Sequence, residues 1–173
     1  MAEDNTARIR TEVLAVDDNP ASLKLLESML RKGSYDVVTA ENGREAMNYL
    51  QDNPGSVDII LLDRMMPEMD GIEVCDALKR DPELKKIPII MQTAADNPDQ
   101  ISEGIKAGVF YYLTKPLNIK TLLSVVHAAE MQMRQYKILR EEMKFQRLGF
   151  GLVQVLKCSF RTLEEAESLS SFL

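Results

Sequence analysis

Residues Val57–Gly71 have the sequence VDIILLDRMMPEMDG, in which an apolar run of strand length ends at a carboxylate and is followed by turn residues. The stretch Ile59–Leu62 shows no polar alternation, which is typical of a central parallel strand covered by helices on both faces. The β-branched isoleucines and the turn-forming Pro67 and Gly71 favour a strand over a buried helix. Because ligands of open α/β sheets bind beyond the carboxyl ends of the strands, Asp63 is predicted to lie at a ligand site.

Composition and charge describe a chain built around one hydrophobic core. Its 173 residues, 45% hydrophobic and 28% charged, suffice for one ordinary domain with a modest extension. The 27 acidic and 21 basic residues give a net charge of -6, which argues against direct binding to nucleic acid. No apolar stretch has the length of a membrane span, residues 1–10 lack the pattern of a secretory signal, and Cys75 and Cys158 show no metal-ligand spacing. We therefore expect a cytoplasmic protein with no membrane contact and a disordered tail over residues 1–10.

Hydrophobic periodicity predicts that strands and helices alternate along the chain. Helices are expected to begin after Asn19, Asn42 and Asn118, because asparagine caps helix N-termini well. The predicted strands are Thr11–Val16, Tyr35–Ala40, Val57–Leu62, Ile87–Thr93 and Val109–Leu113, and the helices between them include Ile72–Arg80 and a fourth helix, Asp99–Ala107. Since parallel neighbours need crossover connections that cover both faces, this alternation predicts an α/β fold with a doubly wound, five-stranded parallel sheet.

Four of the predicted strands end in chemically active groups. An aspartate that opens a loop is usually just solvated, so a role for Asp63 depends on its neighbours. The carboxyl ends of parallel strands meet at one sheet edge, where three close carboxylates would repel one another unless a hard cation such as Mg²⁺ neutralised them. Asp63 could then attack phosphorus, with an ammonium and a hydroxyl to stabilise the transferring group. The converging residues are Asp17, Asp18, Asp63, Thr93 and Lys115.

These segments resemble the receiver domain of two-component response regulators. The resemblance covers about Thr11–Ala129 and is carried by VDDNP, LLDRMMPEMDG, MQTA and YLTKPL. It implies a flavodoxin-like receiver fold in which Asp63 accepts a phosphoryl group from a histidine kinase or a histidine phosphotransfer protein. It also implies a cofactor, Mg²⁺, and a switch that acts on the surface of the fourth helix, fifth strand and last helix. The implied metal ligands are Asp18, Asp63, the Met65 carbonyl and, through water, Asp17, and the implied switch residues are Thr93 and Tyr112.

The chain departs from the family pattern at two places. Val109, Phe110 and Tyr111 stand where receivers often carry small or acidic residues, which favours either a partner or dimer contact or a differently packed loop. Met65 and Ala95 occupy positions that in the family influence hydrolysis of the acyl phosphate. Neither side chain can orient a water molecule, so we expect slow hydrolysis.

Two other functions fit these residues less well. An aspartate-nucleophile phosphatase of the haloacid dehalogenase type needs a second aspartate two residues after the first, where this chain has Met65. A phosphorylation-independent interaction module would not need all the key side chains that are present here. His127, the only histidine, lies among apolar residues and is expected to pack or to face solvent. We therefore expect a protein that catalyses only its own phosphorylation and dephosphorylation.

The C-terminal part is predicted to extend beyond the receiver domain at residues 11–129. Residues 130–148 are expected to form a helical or coiled-coil linker that supports a homodimer. Gly149 and Gly151 are expected to end this helix, followed by a strand at Leu152–Phe160 and a helix at Thr162–Leu173. Residues 149–173 would then begin a truncated output domain. The predicted heptad seam consists of Leu122, Val126, Ala129, Met133, Tyr136, Met143 and Arg147.

Overall fold

Five parallel strands form the central sheet of the computed structural model, which describes residues 10–94 and 107–170, with side chains up to residue 144. The strand order is β2-β1-β3-β4-β5, and each neighbouring pair is parallel. All five residues of β3 are buried, as expected for the central strand. The strands are β1 (Glu12–Val16), β2 (Asp36–Ala40), β3 (Ile59–Asp63), β4 (Ile89–Thr93) and β5 (Tyr111–Thr114). The predicted doubly wound, flavodoxin-like sheet is therefore confirmed.

The helices begin at the predicted asparagine caps. The Asn19 side chain accepts hydrogen bonds from the backbone N–H groups of the first turn, and Asn42 and Asn118 do the same for their helices. The predicted helix Asp99–Ala107 lies, except for its last residue, outside the described residues, as does the tail before Arg10. The helices are α1 (Pro20–Lys32), α2 (Gly43–Asp52), α3 (Gly71–Arg80), a 3-10 turn (Leu84–Lys86) and α4 (Ile119–Ser170). None of the helices in the described ranges combines the length and apolarity of a membrane span.

Two apolar layers enclose the sheet, because successive strand residues face opposite sides. Ile60 and Leu62 of β3 pack with residues of α2 and α3. Ile59 and Leu61 face the other layer, which α1 and the first turns of α4 cover. The residues that α4 contributes to this second layer are Leu122, Val125, Val126 and Ala129.

This packing corrects the predicted heptad seam. Leu122, Val126 and Ala129 have 0% relative exposure and lie in the core against the sheet, so they are not available to a second chain. They follow helical spacing because they cover the sheet, and a short apolar pattern cannot distinguish that role from a coiled coil. Tyr136 and Met143 of the predicted seam are exposed.

The predicted strand Leu152–Phe160 and the helix end at Gly149 are also wrong, since α4 continues to Ser170. A glycine inside a helix costs only about 1 kcal/mol relative to alanine, and the residues around Gly149 and Gly151 are mostly good helix formers. The chain divides into two compact units, Met1–Met133 and Arg134–Leu173.

The apolar surface predicted at Val109, Phe110 and Tyr111 is smaller than expected. Val109 and Phe110 are partly buried and pack against the two core layers. The Phe110 backbone N–H also donates to the Ile89 carbonyl at 2.8 Å, which draws the segment onto the sheet. Tyr111, 49% exposed, is therefore the main apolar contribution of this segment to the surface.

Candidate functional site

Three carboxylates meet at the C-terminal edge of the sheet. Asp17 follows β1 and Asp63 ends β3, and the two strands are neighbours with Val16 paired to Leu62. One carboxylate oxygen from each of Asp17, Asp18 and Asp63 lies within 4.8 Å of the others. Asp17 and Asp63 are buried, whereas Asp18 is exposed. The structure thus brings together the carboxylates that were expected to converge.

Lys115 joins two of these carboxylates from the far side of β4. Its Nζ donates to Asp17 Oδ2 at 2.8 Å and lies 2.9 Å from Asp63 Oδ1. The Lys115 backbone N–H donates to the Thr93 carbonyl at 2.9 Å, which anchors the residue to the end of β4. Because β4 lies between β3 and β5, the lysine side chain must extend over β4 to reach Asp63.

Burial and charge shift the pKa values of this pair in ways that keep the lysine charged. Burial raises the pKa of Asp63, the hydrogen bond and charge of Lys115 lower it, and the charges of Asp17 and Asp18 raise it again, with a net increase. Burial alone would lower the pKa of Lys115, but its bonds to Asp17 and Asp63 outweigh that effect and raise it. Lys115 is therefore a permanent ammonium at the site.

The donor set of the site fits a hard divalent cation. Three carboxylates face one ammonium, so the cluster keeps an excess of negative charge. Oxygen ligands of this kind suit Mg²⁺, which usually takes one or two carboxylates together with water and phosphate oxygens. Met65, whose carbonyl was the expected further ligand, lies two residues after Asp63 with a side chain that is 67% exposed.

Thr93 and Tyr112, the expected switch residues, lie on the same face of neighbouring strands. Thr93 ends β4 and is buried, and Tyr112 on β5 pairs with Met91, which faces the same side as Thr93. The Tyr112 hydroxyl oxygen is buried in this structure. Ala95, the other residue expected to affect hydrolysis, lies outside the described part of the chain.

Gln92 is a buried polar residue whose possible role the sequence analysis missed. It has 0% relative exposure and pairs with Asp63 across β3 and β4. Within the described ranges, neither nitrogen nor oxygen of its amide has a hydrogen-bond partner. The signal was a polar side chain in the otherwise apolar strand IPIIMQT, since such residues in a central strand need a reason to be there.

His127 lies away from this site, as expected. Its Nδ1 is 3.3 Å from Glu130 Oε2, and Glu130 also accepts a hydrogen bond from Thr11, which precedes β1. This cluster therefore lies at the N-terminal edge of the sheet, opposite Asp63. The His127 ring is exposed, which agrees with the second of the two roles expected for it, packing or facing solvent.

Comparison with known proteins shows to which protein family the chain belongs. The sequence model of the response regulator receiver domain family matches residues 13–127, so the chain belongs to that family of two-component signalling domains. Two-component response regulator ORR26 of Oryza sativa subsp. japonica is 33% identical over 154 residues, 88% of this chain and 25% of that protein. Response regulator PleD of Caulobacter vibrioides is 38% identical over 133 residues, 76% of this chain and 28% of that protein. The chain thus spans about a quarter of the length of these curated relatives.

Solved structures agree with this assignment. The chemotaxis protein CheY4 of Vibrio cholerae superposes with a TM-score of 0.65 at 34% sequence identity. The superposition covers 69% of this chain and 98% of that chain, so nearly all of the compared domain is matched. The receiver assignment made from the sequence motifs is confirmed.

Proposed function

We propose that the chain is a phosphoacceptor that receives a phosphoryl group on Asp63. The observation that carries the proposal is the bridge from Lys115 to Asp63 and Asp17, beside a third carboxylate at the same sheet edge. The donor would be a histidine kinase or a histidine phosphotransfer protein. An Asp63 oxygen attacks phosphorus while the bond from phosphorus to the donor's histidine nitrogen breaks and the nitrogen keeps the electron pair.

Each neighbouring residue has a defined task in this proposal. Lys115 places a fixed positive charge 2.9 Å from Asp63 Oδ1, beside the position where negative charge on the transferring group must be stabilised. Thr93 at the end of β4 supplies a hydroxyl that can donate to a phosphoryl oxygen. Asp18, Asp63 and the Met65 carbonyl, with Asp17 through water, would hold Mg²⁺, which when bound supplies positive charge to the phosphoryl oxygens.

The chain is proposed to be a signalling module of the cytoplasm that catalyses only its own phosphorylation and dephosphorylation. A phosphatase of the haloacid dehalogenase type would need an acid two residues after Asp63, and Met65 offers none. An interaction module that works without phosphorylation would give no reason for the pair of a buried Asp63 and a partly exposed Lys115, although desolvating the aspartate charge is costly. These observations favour the phosphoacceptor.

The output is proposed to pass through Thr93, Tyr112 and the surface around β5 and α4. Phosphorylation adds negative charge and acceptor oxygens at Asp63, which attract the Thr93 hydroxyl. Tyr112 lies on the same face as Thr93, so its packing responds to that shift. We propose that the response alters self-association of the chain as a homodimer. Beyond Met133, the exposed Tyr136, Leu139 and Met143 at spacings of three and four residues support a helical dimer seam.

The phosphoacceptor role is tested with acetyl phosphate and Mg²⁺, followed by intact-mass measurement. Wild-type protein should gain one phosphoryl group, and Asp63→Asn should gain none. Asp76→Asn, at an exposed position on α3, is the matched control and should be labelled like wild type. Equal labelling of wild type and Asp63→Asn would remove Asp63 from the reaction. Omission of Mg²⁺ should abolish labelling of wild type and of Asp76→Asn.

A further inference from the structure

The side-chain amide of Gln92 needs an explanation that the phosphoacceptor role alone does not supply. Its nitrogen and oxygen are buried, and no hydrogen bond satisfies either atom in the part of the chain that is described. A buried amide without partners destabilises the protein, because it has given up its hydrogen bonds to water. Leucine or methionine would fill the same space without that loss. Buried unsatisfied polar groups are rare enough that each requires a reason.

Gln92 lies in the same row of the sheet as the phosphoacceptor. The register pairs it with Asp63 on β3 and with Leu113 on β5. The backbone N–H of Arg64 donates to the Gln92 carbonyl at 3.0 Å, which locks this end of β3 to β4. Paired residues of neighbouring strands point to the same face, and the strands are about 5 Å apart. The amide and the Asp63 carboxylate are therefore neighbours on one face of the sheet.

The ammonium of Lys115 competes with this amide for Asp63. Lys115 extends from the end of β5 over β4, the strand that carries Gln92, and reaches Asp63 Oδ1 at 2.9 Å. Hydrogen bonds between an ammonium and a carboxylate are about twice as strong as those between neutral groups. As long as Asp63 is a free carboxylate, its Oδ1 is therefore engaged by Lys115 and not by the Gln92 amide.

We propose that Gln92 is a positioning residue of the phosphorylated state, an inference that rests on the proposed function of Asp63. Once Asp63 is an acyl phosphate, its remaining carbonyl oxygen has lost its formal charge, and the phosphoryl oxygens attract Lys115 instead. The Gln92 Nε2–H group then donates to that carbonyl oxygen. The amide nitrogen lacks a partner in the resting protein and gains one in the phosphorylated one, so Gln92 shifts the equilibrium toward the phosphorylated conformation.

Beryllofluoride with excess Mg²⁺ is the probe, because it occupies an aspartate as a stable mimic of the phosphoryl group. Gln92→Met and Gln92→Leu both remove the amide while keeping the buried volume. Without beryllofluoride, both variants should unfold at a higher temperature than wild type, since the unsatisfied group is gone. Their affinity for beryllofluoride should fall about tenfold, the effect of one lost hydrogen bond.

Ile90→Val is the matched control, because Ile90 faces the same layer of the core two residues earlier on β4. It should lower the unfolding temperature and leave beryllofluoride affinity unchanged. Wild-type affinity in both Gln92 variants would make Gln92 a packing residue and overturn the inference. If wild type itself fails to bind beryllofluoride, the proposed role of Asp63 fails first, and the two failures are thereby distinguished.

Discussion

The ammonium nitrogen of Lys115 lies 2.9 Å from Asp63 Oδ1 and 2.8 Å from Asp17 Oδ2, so one cation that follows β5 joins the carboxylates at the ends of β1 and β3. Lys115 and Asp17 are 98 residues apart in the sequence. The parallel topology places their strand ends at the same edge, and the lysine side chain spans the remaining distance. The site is therefore held together by the same ion pairs that would act on a phosphoryl group.

Lys115→Ala should destabilise the resting protein, because three carboxylates would then repel one another without a counter-ion. We expect a loss of about 2 kcal/mol, less than for a fully buried pair, since the lysine is partly exposed. Mg²⁺ should restore more stability to the variant than to wild type, because a cation relieves the same repulsion. Urea unfolding with and without Mg²⁺ measures both effects.

Lys144→Ala is the control for this experiment, since Lys144 forms a surface ion pair with Glu141 at 2.9 Å. It should change the free energy of unfolding by less than about 0.5 kcal/mol.

The contribution of Lys115 to stability should not change between neutral and moderately alkaline pH. The pKa of Lys115 is raised in the folded protein, so this contribution is complete below the unfolded pKa of about 10.4 and is lost only as the pH rises through the folded pKa. The difference in the free energy of unfolding between wild type and Lys115→Ala should therefore be the same at pH 7 and pH 9.

Asp18→Ala should weaken Mg²⁺ binding far more than Thr93→Ala, because only Asp18 offers a carboxylate to the metal. Asp18 is exposed, so the substitution should leave the fold intact. We expect at least a tenfold weaker affinity for Asp18→Ala, equivalent to about 1.4 kcal/mol, in a calorimetric titration. Equal losses in the two variants would contradict the proposed metal ligands.

Glu130→Gln should weaken the attachment of α4 to the start of β1. Glu130 Oε1 accepts from Thr11 Oγ1 at 2.7 Å, and Oε2 accepts from the Tyr35 hydroxyl at 3.3 Å. An amide cannot replace both charge-assisted bonds, so the free energy of unfolding should fall by about 1 kcal/mol. Glu141→Gln, at a side chain that is 59% exposed, should change it by less than about 0.5 kcal/mol.

Leu139→Lys should oppose self-association if Tyr136, Leu139 and Met143 form a dimer seam. Burial of a leucine side chain contributes about 1.5–3 kcal/mol, so the dimer dissociation constant should rise at least about tenfold. Ile138→Lys is the matched control, because Ile138 is 60% exposed, against 54% for Leu139, and lies outside the seam. Sedimentation with and without beryllofluoride compares the two variants. A seam role is contradicted if both variants associate like wild type.

Much of the receiver fold could be predicted, because apolar runs such as Ile59–Leu62 and caps such as Asn19 act locally. The observed strand β3, Ile59–Asp63, covers most of the predicted strand Val57–Leu62, and α1 begins at Pro20, directly after the predicted cap Asn19. Local sequence patterns did not predict the secondary structure of the C-terminal part correctly. There the glycines Gly149 and Gly151 were interpreted as breaks, although a long helix tolerates their cost of about 1 kcal/mol each.

The sequence by itself determined which chemical groups stand at the strand ends, because Asp17, Asp63 and Lys115 each follow an apolar run that predicts a strand. Tertiary structure alone decided which side chains meet. Leu122 and Val126 cover the sheet and therefore cannot pack in a coiled coil. Their spacing along the helix fits either arrangement, so the sequence alone could not distinguish the two. The role proposed for Gln92 rests on its register with Asp63, and pairing between strands depends on contacts that are distant in sequence. Helix spacing and strand identity are local properties, whereas neighbours across a parallel sheet are set by the packing of the whole domain.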